Sequence, residues 1–326
     1  MSEGGSDRAE SVLVTGAGGF IGSTLVDRLL AEGRTVTGLE SFDPFYPRAQ
    51  KQRNLEAARD SDRFRLVEAD IRDEDVVGEV FARGEFEGVV HLAALAGVRP
   101  SLERPAAYAD VNVTGTSLVL GTAARCGAPR VVFASSSSVY GEREQGPFRE
   151  TDPVERPISP YAATKRAGEL VAHTFHYAHG LPVVCARIFT AFGPRQRPDL
   201  AIRKFADRMR KGEPIPIFGD GSSLRDFTYV DDLVQGLRLA LDSELGFDIL
   251  NFGAGRQVSV LEVVKALERE LGVSATIEWQ PRQVGDVSKT HADIAAARAA
   301  LGYDPQITFD EGIARFVRWL TEEDRG

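Results

Sequence analysis

Apolar residues come in short blocks at the start of this chain. The run at 11–14 is closed by glycines, and similar runs follow at 35–39, 64–68, 88–92, 130–134 and 181–188. Between most of them, apolar positions recur at helical spacing, as over 21–31. Short apolar runs alternating with helical stretches predict parallel strands buried on both faces. Right-handed crossovers then wind such a sheet in both directions from its middle. The expected fold is α/β, a Rossmann-like doubly wound parallel sheet over 11–188, preceded by a polar tail at 1–10. After 188 the rhythm changes. Gly193, Pro194, Pro198, Pro214, Pro216, Gly219 and Gly221 interrupt it, while 245–252 and 275–279 read as strands and 259–271 and 309–322 as helices. This predicts a smaller mixed α/β substrate lobe at 189–225 and 251–326, with 226–250 returning to the first domain.

Composition narrows the class. The chain has 326 residues, enough for a large core or two joined domains, and a net charge of -9. An acidic chain lacks the clustered cations that nucleic-acid phosphates require, so no nucleic-acid partner is expected. No stretch approaches the length of an apolar membrane span, and residues 1–10 do not read as a signal peptide. Two cysteines, Cys126 and Cys185, exclude a disulfide framework and predict free buried thiols in a reducing, cytoplasmic setting.

The first chemistry sits where the first strand runs into the first helix. Gly16, Gly19 and Gly22 recur three apart, with Phe20 and Ile21 opening the helix. Glycines there permit a tight turn that brings a pyrophosphate to the helix N-terminus. Glu40 ends the second strand, where a carboxylate accepts from ribose hydroxyls and repels a 2′-phosphate. NAD rather than NADP is therefore the expected cofactor. Asp70 and Ile71 end the third strand, where they could meet the adenine, although Asp70 could equally cap a helix. Leu92, Ala93 and Ala94 follow the fourth strand with room for close approach. His91 beside them is read as structural.

The second chemistry is Tyr161 and Lys165, four apart on a predicted helix and so on one face. An ammonium beside a phenol favours the phenolate, which is expected to bring Tyr161 toward neutrality as a base. Hydroxyls of Ser136, Ser137 and Ser138 lie at the end of the fifth strand, the sheet edge where ligands bind. His173, His176 and His179 fall three apart on the same helix without an acidic or thiol partner, so no metal site is expected.

Together these motifs resemble the extended short-chain dehydrogenase/reductase family through nearly the whole chain. The resemblance implies that Ser136 hydrogen-bonds the reacting oxygen beside Tyr161 and Lys165. It implies that Arg225 and Arg282 hold a UDP diphosphate and that Asp286 holds the ribose. Relatives that eliminate water or CO₂ carry acids where this chain has Ser137 and Ser138. Their absence implies epimerisation at C4 of a UDP-sugar. The stretches 42–46, 95–101 and 193–199, with Thr190, resemble the branch acting on UDP-glucuronate, with Arg99 or Arg197 complementing its carboxylate. UDP-glucose or UDP-galactose is the alternative substrate, followed by decarboxylation or a non-catalytic NAD-binding role. A homodimer through a four-helix bundle is also implied, with Tyr108, Phe175 and Tyr177 on its helices or in the chain's own core.

Overall fold

The computed structural model describes residues 11–323 apart from 129, 144 and 283–286. The tail at 1–10 and Asp286 lie outside the described residues. In chain order the strands are β1 (Ser11–Thr15), β2 (Thr35–Glu40), β3 (Phe64–Glu68), β4 (Gly88–His91), β5 (Val131–Ser136) and β6 (Val183–Ile188). They continue with β7 (Thr190–Phe192), β8 (Ile215–Phe218), β9 (Leu224–Tyr229), β10 (Phe247–Phe252), β11 (Gln257–Ser259) and β12 (Ile277–Gln280).

Seven strands form one parallel sheet in the order β10-β6-β5-β4-β1-β2-β3. The order reverses beside β1, whose neighbours are β2 on one side and β4 on the other. Loops leaving β1 and β4 therefore diverge, and a crevice opens at their carboxyl ends, where ligands of such sheets bind. Apolar side chains on the two faces form two separate core clusters. Val12 and Val14 belong to one and Leu13 to the other, so alternate residues of β1 serve opposite layers.

The second lobe is built from short strands. β7, β9 and β11 make one small sheet, and β8 and β12 another. β10 leaves that region and adds an edge to the large sheet in register with β6. Four of these strands, β7, β8, β9 and β11, escape prediction because each is only three to six residues long. Over that length a two-residue period cannot be told from loop sequence.

The long helix Pro160–His179 packs on β5. Ser159 caps it, accepting from the Ala162 N–H, and Gly180 ends it in a left-handed conformation. It lies close to the sheet because Gly168 faces the Phe133 ring, where a Cβ would come within 2.4 Å. One turn after Lys165, Glu169 is fully buried and forks the equally buried Arg187 of β6 at 2.8 and 2.9 Å. Ser135 donates to the same carboxylate at 2.6 Å.

Some expectations need correction. Cys126 is exposed; only Cys185 is buried. Tyr108 is enclosed by its own chain, its hydroxyl donating to Ala96 O at 2.9 Å and its ring set edge-on to Tyr161. Tyr177, by contrast, is 86% exposed. The histidines serve packing: His173 and His176 lie against Phe247, and His179 stacks on Phe175.

Neutralising half of a buried ion pair strands the other charge. We expect Glu169→Gln to cost about 3–5 kcal/mol of stability in denaturant titration, and the double variant Glu169→Leu with Arg187→Met to recover most of that loss.

Candidate active site

The crevice between the diverging loops deepens into a cavity of about 460 Å³. Gly16, Gly19, Phe20, Ile21 and Gly22 line one end. The turn is so tight that glycine is obligatory. Gly16 has a left-handed φ of 71° and no room beside Ala93 N, and a Cβ on Gly22 would come within 2.1 Å of Gly16 O. No side chain caps the helix that starts at Phe20, so its first-turn N–H groups are left to a ligand. Such a terminus suits an anion.

Glu40 lines the same end. Its carboxylate accepts from Gly18 N at 3.1 Å, Phe42 N at 2.9 Å and Lys51 Nζ at 3.1 Å. Lys51 is an unforeseen partner, and it alters the electrostatic argument. Glu40 keeps an acceptor lone pair for a ribose hydroxyl, but Lys51 offsets part of its charge, so repulsion of a 2′-phosphate is weaker than the sequence suggests. Asp70, Ile71, Leu92, Ala93 and Ala94 also line the cavity. Asp70 is not a helix cap; Asp73 is, accepting from Val76 N. Arg72 instead forks Asp70 and holds its carboxyl below the usual range. A tight glycine turn, an uncapped helix start and an acceptor at the second strand's end fit a dinucleotide.

The catalytic candidates meet in the middle. Tyr161, Lys165, Ser136, Ser137 and Ser138 all line the cavity. Ser136 sits 2.5 Å from the Ser138 hydroxyl, and its own hydroxyl acts to lower the Tyr161 pKa. Lys165 Nζ donates to Ala134 O at 2.7 Å and lies 6.0 Å from the centre of the Tyr161 ring. Burial lowers the Lys165 pKa to about 7. It raises that of Tyr161, against the lowering effects of Ser136 and of the Arg197 charge. The expectation that the Lys165 ammonium, with the nicotinamide cation acting the same way, brings the phenol toward neutrality is corrected in one respect: among the protein's own groups, desolvation outweighs the lowering effects. Buried His91 is hydrogen-bonded to Thr15 and Thr116 through its two nitrogens, and its pKa is pushed down to about 3 by burial and the nearby Lys165. It is a neutral support.

Thr190, Arg197 and Arg225 line the cavity from the second lobe. Arg197 is forked by Asp199 at 2.9 and 2.7 Å, with its guanidinium 5.0 Å from the Phe45 ring centre. Arg225 donates to the carbonyls of Leu224 and Ser288. Arg99 is not among the lining residues; it lies over the Phe218 ring at 4.7 Å. Arg282 is exposed and also outside the lining. Among the described residues, no cluster of His, Cys, Asp and Glu could hold a metal ion, and no helix is long and apolar enough to cross a membrane.

A doubly wound sheet with a dinucleotide crevice, a Tyr–Lys pair and a second lobe closing the cavity defines a nicotinamide-dependent enzyme of the extended short-chain type. The chain belongs to the NAD dependent epimerase/dehydratase family, whose model matches residues 12–253. It is 39% identical to a UDP-glucuronate 4-epimerase of Thermodesulfobacterium geofontis over 95% of this chain and 96% of the relative. The crystal structure of UDP-glucuronic acid 4-epimerase from Bacillus cereus, in complex with UDP-glucuronic acid and NAD, superposes with a TM-score of 0.91 at 33% identity. That match covers 96% of this chain and 99% of the other. UDP-glucose 4-epimerase of Thermotoga maritima, solved with UDP-glucose, gives 0.89 at 32% identity, covering 96% and 99%.

The lowered Lys165 pKa has a consequence for stability. Its folded value lies below its unfolded value, so the unfolded chain binds the extra proton between the two. Stability from this group is lost as pH falls from the ordinary lysine range toward 7. Thermal melts of the ligand-free protein should therefore show Lys165→Met more stable than the parent at pH 6. The gap should close as pH approaches about 10.

Proposed function

We propose that this chain is a UDP-glucuronate 4-epimerase, interconverting UDP-glucuronate and UDP-galacturonate with NAD as cofactor. One observation carries the choice of reaction. Among the described residues, the cavity's carboxylates, Glu40, Asp43 and Asp70, lie at or just beyond the ends of β2 and β3, and the polar side chains at the end of β5 are hydroxyls. Among the described residues, no carboxylate lines the cavity beside Tyr161 to eliminate water or assist loss of CO₂, which favours inversion and return.

The residues divide the work. The Gly16–Gly22 turn and the helix start hold the cofactor diphosphate, and Glu40 holds the adenosine ribose. When bound, NAD supplies a reversible electron-pair acceptor for C4 and a positive ring that favours the phenolate. Tyr161 removes the proton of the C4 hydroxyl and later returns it, with Lys165 beside it and Ser136 on the reacting oxygen. Arg225 and Arg197 offer charge to the anionic substrate, and the forked guanidinium suits a phosphate or carboxylate.

Oxidation at C4 makes a ketone β to the sugar's carboxylate, and such acids lose CO₂ readily. Ser137, Ser138 and Thr190 offer neutral donors that hold this carboxylate without repelling it. The reading includes a homodimer, supported by Leu170 and Tyr177, which are seven apart on the long helix and 53% and 86% exposed. It also includes a cytoplasmic location, supported by two free thiols.

NMR of the products from UDP-glucuronate and UDP-glucose, in separate incubations, tests the assignment. The expected result is UDP-galacturonate from the first and at most slow turnover of the second; UDP-pentose as the main product of the first overturns it. Tyr161→Phe is expected to lose at least a hundredfold in kcat, within the range for removing an acid–base group, and to keep its NAD. Full activity in that variant contradicts the choice of base.

A further inference from the structure

The loop between β2 and the next helix contains a buried donor with no acceptor among the described residues. Tyr46 is 7% exposed and lines the cavity, yet its O–H finds no acceptor among the described residues. Buried hydroxyls are nearly always satisfied, so an orphan beside a ligand cavity points to the ligand. Its position is informative. The hydroxyl lies 3.9 Å from where a Cβ on Gly19 would stand, beside the uncapped start of the first helix.

The loop that carries the ring is held at several points. Lys51, itself held by Glu40, places its ammonium 5.1 Å from the Tyr46 ring centre. The neighbouring Phe45 ring is covered by Arg197, which Asp199 holds in place. Asp43 turns the loop by accepting from Phe45 N at 2.9 Å. Phe42, in a left-handed conformation, is tied to Glu40 through its N–H and covered by Arg48.

We propose that Tyr46 is a ligand of the cofactor's diphosphate, its O–H donating to a phosphate oxygen at the helix N-terminus. Burial and the nearby Glu40 charge push the phenol well above its ordinary pKa, so it stays a donor throughout the working range. It therefore does not compete with Tyr161 as a base. A redox-neutral enzyme must keep the same cofactor through both halves of its reaction, and this contact strengthens that retention. The proposal rests on the family's NAD site and not on the sugar, so either can fail without the other.

The test compares the parent with Tyr46→Phe, after stripping of bound nucleotide, by calorimetric titration with ADP-ribose and with adenosine. A hydrogen bond to a charged group corresponds to roughly a 10- to 100-fold change in Kd. ADP-ribose is expected to weaken by about that factor, and NAD to wash out of the variant faster on gel filtration. Adenosine, which has no phosphate, is expected to bind both proteins alike. Equal ADP-ribose affinity overturns the proposal. So does an equal loss for adenosine, because the hydroxyl would then be acting through the loop's shape.

Discussion

The buried pair of Glu169 and Arg187 is the contact on which the site's geometry depends. Tyr161, Lys165 and Glu169 are spaced by four on one helix, and each engages the end of β5. Tyr161 is influenced by the Ser136 hydroxyl, Lys165 holds Ala134 O, and Glu169 takes the Ser135 hydroxyl. Arg187 closes the arrangement from the adjacent strand β6 and covers the Tyr140 ring at 4.8 Å. Helix and sheet are thus joined by polar contacts that allow only one register. An apolar contact such as Phe133 on Gly168 sets the distance, and the ion pair sets the rotation.

That arrangement has an electrostatic cost. Lys165 is buried beside a carbonyl and a neutral histidine, and its proton is loosely held as a result. Tyr161 is displaced in the opposite direction, its phenol harder to ionise. The two proton affinities therefore move apart, and the ammonium gives up its proton more readily than the phenol does. Removing the charge would relax the fold and remove the function, a trade common at sites that store unfavourable burial.

The sheet was legible because buried parallel strands leave contiguous apolar runs, and the glycine turn because backbone geometry admits no other residue there. Tyr161 and Lys165 were legible through helical spacing. The unforeseen features are contacts between distant charges. Nothing in local pattern says that Glu40 meets Lys51, or that Glu169 meets Arg187 eighteen positions away. Glu169 did carry a signal, the same four-residue spacing beyond Lys165, which marks it as facing the sheet. The turn at Asp110–Gly115 widens into a π-helix, which lets Asn112 join Leu95 to Thr164, and no periodicity predicts that widening. Tyr108, taken for a residue at a partner surface or in the core, was assigned to the core only by its hydroxyl's contact with Ala96.

The central claim is that C4 is oxidised and reduced within one cavity, with Tyr161 moving the proton. The most direct measurement uses UDP-glucuronate deuterated at C4, incubated with the holoenzyme in ordinary water, with the product examined by mass spectrometry and NMR. Return from a cofactor that never leaves predicts UDP-galacturonate that keeps its deuterium at C4. Product that has exchanged the label with solvent, or that has inverted at another carbon, would contradict the account.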